Sequence, residues 1–285
     1  MTGTSPEARG SSPQPHRGRA HADPNRYSNP NVAALAHARR DLLTFCSRLT
    51  EADWRRQSAA AHWSVQDVVT HLGASCHAIF TPAAVAILRS NDIERANDTV
   101  VNRHRSWSPA KTQHEYETWS RRLLTLARIV DATPGRRIPV RLAELGRFPV
   151  GSLLTGAFVF DHHTHLRFDL APVLNVDMPP AAPVELRVAI EWMTAVLSNQ
   201  IKAGAFDALS APITLNLGGS GGGHWTVSGA GVKSGTAPNA VATITGSAAH
   251  FPAWGTRRTQ WCDQNLELRG DVDYAAAFLD QLNVI

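Results

Sequence analysis

The sequence changes character near Gly204, and this change limits the folds available to the chain. Between residues 32 and 200, apolar residues recur with the spacing of amphipathic helices. After Gly204 they fall in short β-type runs separated by glycine-rich turns. Helices of this kind must bury their apolar faces on one another, and short strands need a sheet covered on one face. The sequence therefore predicts a mixed α and α/β fold, with a helical bundle followed by a small α+β domain.

Capping and helix-breaking residues place the predicted elements. Ser64 and Asp67 have the spacing of a capping box, and Pro134-Gly135 and Pro172 end two later helices. The predicted helices are 33–49, one beginning at Ser64, 115–132, 149–172, 184–201 and 272–282, and the predicted strands are 213–217, 225–228, 241–245 and 266–269. The glycine-rich run 218–223 lacks the pattern of a phosphate loop and leads into no helix, so it is predicted to be a hairpin turn.

These elements define three regions. Residues 1–30 are rich in Ser, Pro, Gly and Arg without a hydrophobic period, which predicts a disordered leader. Residues 31–203 form the predicted bundle and residues 204–285 the predicted α+β domain. The leader contains no apolar core of a signal peptide, and the apolar stretch 150–160 is too short to cross a bilayer, so no membrane partner is expected.

Charge and cysteine usage narrow the function classes. The net charge is +4 and the pI about 9.3, but the basic residues are scattered and interleave with no aromatic stripe, so no nucleic-acid partner is expected. The chain has three cysteines, Cys46, Cys76 and Cys262, and no CxxC pair. An odd number of widely spaced cysteines argues against a disulfide framework and favours a location in the reducing cytoplasm. Cys46 and Cys76 are both predicted to be buried core thiols.

The segment FVFDHHTHLRFDL, residues 158–170, carries the densest group of metal-ligand types. On a helix, Asp161 and His165 are four residues apart and share the face that a bundle would bury. An inward carboxylate and imidazole need a partner, and a divalent metal is one. His71 follows Val68 on the buried face of another helix and is the best third ligand. Two nitrogens and one oxygen suit zinc and leave a coordination position open.

Other interpretations of these residues remain open. A single inward histidine is more often a hydrogen-bonded core residue than a ligand, and Asp161 with His165 could be an ion pair on a helix surface. His162 could replace Asp161 after a modest rotation of the helix. Asp169 continues the stripe and is expected to hydrogen bond to His165.

A basic residue near the site is expected to recognise a carboxylated substrate or cofactor. Arg167 lies about 200° around the helix from His165 and is predicted to be a surface arginine. Arg257 and Arg258 are the alternatives, because the second domain would form a wall of the cleft.

Two segments resemble a known family. WSVQDVVTHL, residues 63–72, and DHHTHLRFDL, residues 161–170, are similar to motifs of the DinB-like superfamily, in particular its branch of mycothiol-dependent maleylpyruvate isomerases. The segments ITLNL, HWTVS, ATITGSA and LELRGD resemble the sterol-carrier-like module that follows the bundle in this branch. The resemblance implies that the bundle is a four-helix bundle and that His71, Asp161 and His165 are metal ligands. Family members usually have Glu where this chain has Asp161, and other DinB-like proteins have a histidine there, which keeps His162 as a substitute.

The resemblance also implies an activity. A divalent metal, zinc as the first choice, would activate mycothiol as a cosubstrate, in a cytoplasmic enzyme of actinobacterial detoxification or secondary metabolism. The thiol would serve either S-transfer to a small electrophile or cis–trans isomerisation, and S-transfer is given at least equal weight. The alternative is a non-catalytic metal- and ligand-binding protein that uses the sterol-carrier-like domain, and a third class is a regulatory protein that pairs with a second copy. The chain is expected to be a monomer or a homodimer.

Overall fold

A computed structural model describes residues 29–206 and 209–284. The predicted leader lies outside these ranges up to residue 28. The first helix begins directly afterwards, because the Asn29 side chain accepts a hydrogen bond from the Asn31 backbone and Pro30 occupies the first turn. The helical part precedes the sheet, as the sequence predicts.

Ten helices are described. They are α1 Pro30–Cys46, α2 Glu51–Arg55, α3 Val65–Ala78, α4 Ala83–Arg89, α5 Ile93–His104, α6 Pro109–Asp131, α7 at residues 150–170, α8 Pro183–Lys202, α9 Phe251–Gly255 and α10 Val272–Gln281. Helix α7 is continuous but contains two π-helical turns, Leu153–Ala157 and His165–Leu170, on either side of the α-helical Phe158–Thr164. The capping box of Ser64 and Asp67 begins α3 as predicted.

Helices α1, α3, α6 and α7 form the bundle. One buried cluster joins Leu42 of α1, Val68 and Leu72 of α3 and Leu170 of α7, and a second joins Leu35 of α1 to residues of α6 and α7. Both clusters run along the inside of the bundle, so an inward polar residue on α3 or α7 faces apolar neighbours or another inward polar residue.

Helix α8 connects the bundle to the sheet. Val188 and Ala189 pack in the bundle, whereas Ile190, Met193 and Leu197 belong to the core beneath the sheet. The helix is therefore buried on two faces, which explains why its apolar residues are not confined to one stripe. It fixes the C-terminal part against the bundle.

A five-stranded sheet forms most of the C-terminal part. Its strands are β3 Ile213–Gly218, β4 Gly223–Ser228, β5 Gly231–Ser234, β6 Ala242–Ser247 and β7 Glu267–Gly270, in the order β5-β4-β3-β6-β7. Strands β3 and β6 are parallel, and the other neighbours are antiparallel. The glycine-rich run forms the hairpin turn between β3 and β4, where Gly219 and Gly221 have φ of +94° and +79°.

Several elements go beyond the sequence prediction. Helices α2, α4, α5 and α9, strand β5 and the two-stranded sheet of β1 Pro139–Leu142 and β2 Gly146–Pro149 were not predicted. These elements are short or strongly polar, so the periodicity of their apolar residues is weak.

Within residues 29–206 and 209–284, no single helix has the length and hydropathy of a membrane span. Helices α3 and α4 taken together pass that test, although the chain bends by 103° between them.

The prediction that Arg167 is a surface residue is wrong. Its side chain is 12% exposed, because Asp41 of α1 and Glu185 of α8 lie beside the guanidinium and the chain after α7 folds over it, with Pro179 accepting its hydrogen bond. The helix face opposite His165 is thus packed against α1, α8 and the chain after α7 and is not exposed to solvent.

Candidate metal centre

Helices α3 and α7 bring His71, Asp161 and His165 to one point. One ligand atom from each lies within 4.8 Å of the other two. His71 Nε2 is 3.2 Å from Asp161 Oδ2, and His165 Nε2 is 3.9 Å from Asp161 Oδ1. The two imidazole rings are 5.3 Å apart between centroids and nearly perpendicular. The i,i+4 spacing on α7 and the position of His71 within the buried face of α3 produce this convergence, as the sequence predicts.

The three side chains differ in exposure. The side chains of His71 and His165 are 5% and 10% exposed, whereas that of Asp161 is 30% exposed. The carboxylate therefore lies at the mouth of the cluster and the imidazoles lie deeper. Solvent therefore reaches the cluster from the side of Asp161.

Asp161 is held as a carboxylate. Burial by itself would raise its pKa, but the charge and hydrogen bond of His71, with a smaller contribution from His165, hold the pKa well below its ordinary value. The cluster thus keeps an anionic oxygen between two imidazoles at neutral pH, a donor set that favours a cation.

His165 is oriented by a chain of hydrogen bonds. Its Nδ1 lies 2.6 Å from Asp169 Oδ2, as expected from the sequence. Burial opposes ionisation of Asp169, but hydrogen bonds from His165 and Arg258 lower its pKa, so it is an acceptor only. Nδ1 must then carry the hydrogen, and in the neutral ring Nε2 presents its lone pair to the cluster.

Arg258 fixes this chain from the C-terminal part. Its Nε lies 2.9 Å from Asp169 Oδ1, and its Nη2 lies 2.8 Å from Oδ2. The neighbouring Arg257, also named as a candidate from the sequence, instead donates to the backbone carbonyls of Leu282 and Asp280 near the C-terminus. Of the two arginines, Arg258 is the one that reaches the site, through Asp169.

Trp63 covers one side of the cluster. Its ring centroid is 5.0 Å from that of His71 and 6.2 Å from that of His165. The indole Nε1 donates to Asp98 of α5 at 2.9 Å, which holds the ring in place. No local pattern in the sequence reveals that a distant helix fixes Trp63 over the histidines.

His162, the sequence alternative to Asp161, points elsewhere. Its Nδ1 donates to the Phe158 carbonyl at 2.7 Å, and its ring packs against Tyr116 at 5.5 Å between centroids. Burial lowers its pKa to about 4, so it is neutral at physiological pH.

Cys46 and Cys76 are fully buried, as predicted, and Cys262 is exposed.

The donor geometry fits a small divalent cation. His165 Nε2 and Asp161 Oδ1 are 3.9 Å apart, which is too far for a hydrogen bond. Donors on a tetrahedral zinc ion are about 3.3 Å apart, given bonds of about 2.0–2.1 Å. The His71–Asp161 pair, at 3.2 Å, already has this separation.

Comparison with known proteins agrees with the sequence resemblance. Residues 35–166 match the family model described as the mycothiol maleylpyruvate isomerase N-terminal domain. This range includes all three clustered residues. The resemblance to this branch of the DinB-like proteins is thereby confirmed. No curated protein sequence matches the chain.

Two solved structures share the fold. The crystal structure of a mycothiol-dependent maleylpyruvate isomerase is 14% identical with a TM-score of 0.54, and the match covers 81% of this chain and 89% of that one. A mutant of a mycothiol-dependent maleylpyruvate isomerase, in which alanine replaces a histidine, is 13% identical with a TM-score of 0.52, over 84% and 91% of the two chains. The predicted fold, a helical bundle followed by a small sheet-containing domain, is confirmed.

Proposed function

We propose that this chain is a metal-dependent enzyme that activates a low-molecular-weight thiol, with mycothiol as the cosubstrate and zinc as the metal. His71, Asp161 and His165 are the proposed ligands. The observation that carries the proposal is the convergence of two imidazoles and one ionised carboxylate from two helices, with one side accessible. The match of residues 35–166 to the mycothiol maleylpyruvate isomerase N-terminal domain supports the choice of thiol.

A divalent cation held there would lower the pKa of a coordinated thiol and so raise the fraction of nucleophilic thiolate at neutral pH. The residues of the chain supply the rest. Asp169 and Arg258 keep Nε2 of His165 directed at the cluster, and Trp63 closes one side to bulky groups. As a proposed ligand with a depressed pKa, Asp161 would be a poor proton acceptor, and the thiol proton would pass to solvent.

The activated thiol has two possible uses. It can add to a conjugated double bond, allow rotation and leave again, which isomerises a substrate such as maleylpyruvate. It can also displace a leaving group from a small electrophile, which is S-transfer. Both need the same thiolate, so we propose the thiol-dependent step and test the two outcomes separately. We further propose that residues 31–203 supply the ligands and residues 204–285 the wall that carries Arg258.

The experiment combines metal analysis with thiol binding. Protein prepared without chelator is expected to contain about one zinc ion per chain and to bind mycothiol in calorimetry only when loaded with metal. His71→Ala is expected to lose both properties. His77→Ala is the matched control, because His77 lies on the same helix but stacks on Trp119, with 3.8 Å between the ring centroids.

Two results would decide against the proposal. Metal-free wild-type protein that still binds mycothiol would show that the cluster is not the thiol site. Metal-loaded protein that neither isomerises maleylpyruvate nor transfers the thiol to electrophiles would favour the alternative, a non-catalytic binding protein.

A further inference from the structure

The two-stranded sheet of β1 and β2 presents two arginines on its outer face. The register places Arg141 directly opposite Arg147, and both side chains are exposed. Like charges in directly opposed positions destabilise an antiparallel pair of strands. The folded chain therefore carries a repulsive pair at its surface, and an anionic partner would relieve the repulsion.

The inner face of this sheet is anchored to the rest of the chain. Phe148 of β2 is 2% exposed, and its ring centroid lies 4.4 Å from that of Trp192 of α8. Asn199 of α8 donates to the backbone carbonyl of Arg147 at 3.3 Å. Because side chains alternate along a strand, the side that faces away from Phe148 carries Arg141 and Arg147. The opposed arginines are thus held in a fixed position.

The neighbouring segments add positive charge to this surface. Residues 134–149 contain four arginines and one glutamate. Arg136 Nη1 lies 3.2 Å from Asp131 Oδ1, and the next residue, Arg137, is exposed. Helix α4 lies against β1 and ends with a further exposed arginine, Arg89. The surface around the sheet is therefore basic.

Apolar side chains stand among these arginines. Helix α4 has the sequence AAVAILR, and none of its residues is buried by the described parts of the chain. Val85 of this helix is 48% exposed, and Ile138, directly before β1, is 58% exposed. Single exposed apolar residues are ordinary, but a helix that is apolar on all sides is normally buried. We call this region the α4–hairpin surface and define it by Val85, Arg89, Arg137, Ile138, Arg141 and Arg147.

This combination favours an anionic lipid bilayer as the partner. Phosphate-bearing head groups complement the arginines, and apolar side chains enter the boundary between head groups and acyl chains. A second copy of the chain in a two-fold dimer would bring arginines against arginines. A nucleic acid would pair with the arginines but leave Val85 and Ile138 in water.

We propose that the α4–hairpin surface binds anionic lipid membranes peripherally. The arginines contact the head groups, which relieves the repulsion between Arg141 and Arg147, and Val85 and Ile138 enter the interface. The sequence expectation of no membrane partner concerned signal peptides and membrane-spanning segments, and a contact at the bilayer surface needs neither. The surface shares no residue with the metal cluster and does not depend on the proposed thiol chemistry.

The probe for the test is a vesicle of equal parts phosphatidylglycerol and phosphatidylcholine, and vesicles of phosphatidylcholine alone are its uncharged counterpart. Binding of the full chain is measured by cosedimentation at low and at high salt. Arg141→Gln/Arg147→Gln removes the opposed charges, and Val85→Ser/Ile138→Ser removes the apolar side chains.

Arg48→Gln/Arg55→Gln is the matched control for charge. Helix α1 begins beside Asp131, where the Asn29 side chain donates to that carboxylate, and the two exposed control arginines follow the other end of α1. This variant changes the net charge as much as the test variant does, but away from the α4–hairpin surface.

The wild type is expected to bind the anionic vesicles, more weakly at high salt, and not to bind the uncharged ones. An arginine near an anionic surface contributes about five-fold in affinity, so Arg141→Gln/Arg147→Gln should bind about 25-fold more weakly. It should be at least as stable as the wild type in urea, because it removes opposed like charges. Val85→Ser/Ile138→Ser should weaken binding by about three-fold or more without changing its dependence on salt. Arg48→Gln/Arg55→Gln and His71→Ala should bind as the wild type does.

Three results would overturn the proposal. They are equal binding to the two kinds of vesicle, no binding to either, and unchanged binding by Arg141→Gln/Arg147→Gln. An equal loss in Arg48→Gln/Arg55→Gln would show that binding follows net charge and not this surface. A dimer in analytical ultracentrifugation that Arg141→Gln/Arg147→Gln alters, without vesicle binding, would assign the surface to a second copy instead. These outcomes are independent of whether the chain binds zinc or mycothiol.

Discussion

Arg258 and Asp169 join the C-terminal part of the chain to the helix that carries two of the three clustered side chains. Arg258 donates from Nε and Nη2 to the two carboxylate oxygens, at 2.9 and 2.8 Å, and Asp169 in turn accepts from His165. The Asp169 side chain is 2% exposed, so this pair is shielded from solvent on the carboxylate side. The orientation of His165 therefore depends on how the two parts of the chain pack.

Removing Arg258 should weaken metal binding without removing a ligand. In Arg258→Met, Asp169 loses two donors and His165 loses part of its support, so we expect zinc affinity to fall by about 10- to 100-fold. Competition with a chromogenic chelator measures this. Arg257→Met is the control: its guanidinium contacts Leu282 and Asp280, so stability should fall while zinc affinity is kept. Equal affinities for Arg258→Met and the wild type would show that Asp169 and His165 suffice.

The two residues that compete for the carboxylate position can be separated by substitution. Asp161→Asn keeps the shape of the side chain but removes the anionic oxygen beside His71, so we expect zinc affinity to fall by more than about 100-fold, beyond the effect of a supporting residue. His162→Leu should leave zinc affinity unchanged, because its ring contacts Phe158 and Tyr116. The opposite pattern would make His162 the ligand. Elemental analysis after dialysis provides the first measurement.

The sequence was sufficient to predict the parts of the site that depend on local periodicity. The i,i+4 spacing places Asp161 beside His165, and the run of buried valines places His71 on the inner face of α3. Asp169 follows from the same stripe. Each of these relationships is set by helix geometry alone, and so it can be read without knowledge of the tertiary structure.

The rest depends on contacts between distant segments. Arg258 reaches Asp169 only because α8 fixes the sheet against the bundle, and no sequence spacing distinguishes it from Arg257. Trp63 lies over the histidines because Asp98, on a helix too polar to predict, holds the indole. Arg167 was assigned to the surface from its helix face, but that face is covered by α1, α8 and the chain after α7.

Thiol reactivity should separate the three cysteines. Burial raises the pKa of Cys46 to about 12 and also raises that of Cys76 strongly, whereas Cys262 is exposed. Because the thiolate is the reactive form, Ellman's reagent should modify one thiol per native chain rapidly and all three in denaturant. Cys262→Ser should abolish the rapid phase. A second rapid thiol in the native protein would show that the bundle opens at Cys46 or Cys76.

The metal-free protein should lose stability in acid through its buried carboxylates. The pKa of Asp161 in the folded chain lies below its ordinary value of about 3.9, so its contribution is complete above that value and is lost as the pH falls toward the folded-state pKa. Asp169 contributes in the same direction. We therefore expect the free energy of unfolding in urea, measured with EDTA present, to decrease steadily between about pH 5 and pH 3. Asp161→Asn should be less stable at pH 7 and should show a shallower decrease, while Asp263→Asn, at an exposed position, should follow the wild type. An equally steep decrease in Asp161→Asn would mean that His71 does not stabilise the Asp161 carboxylate in the folded protein.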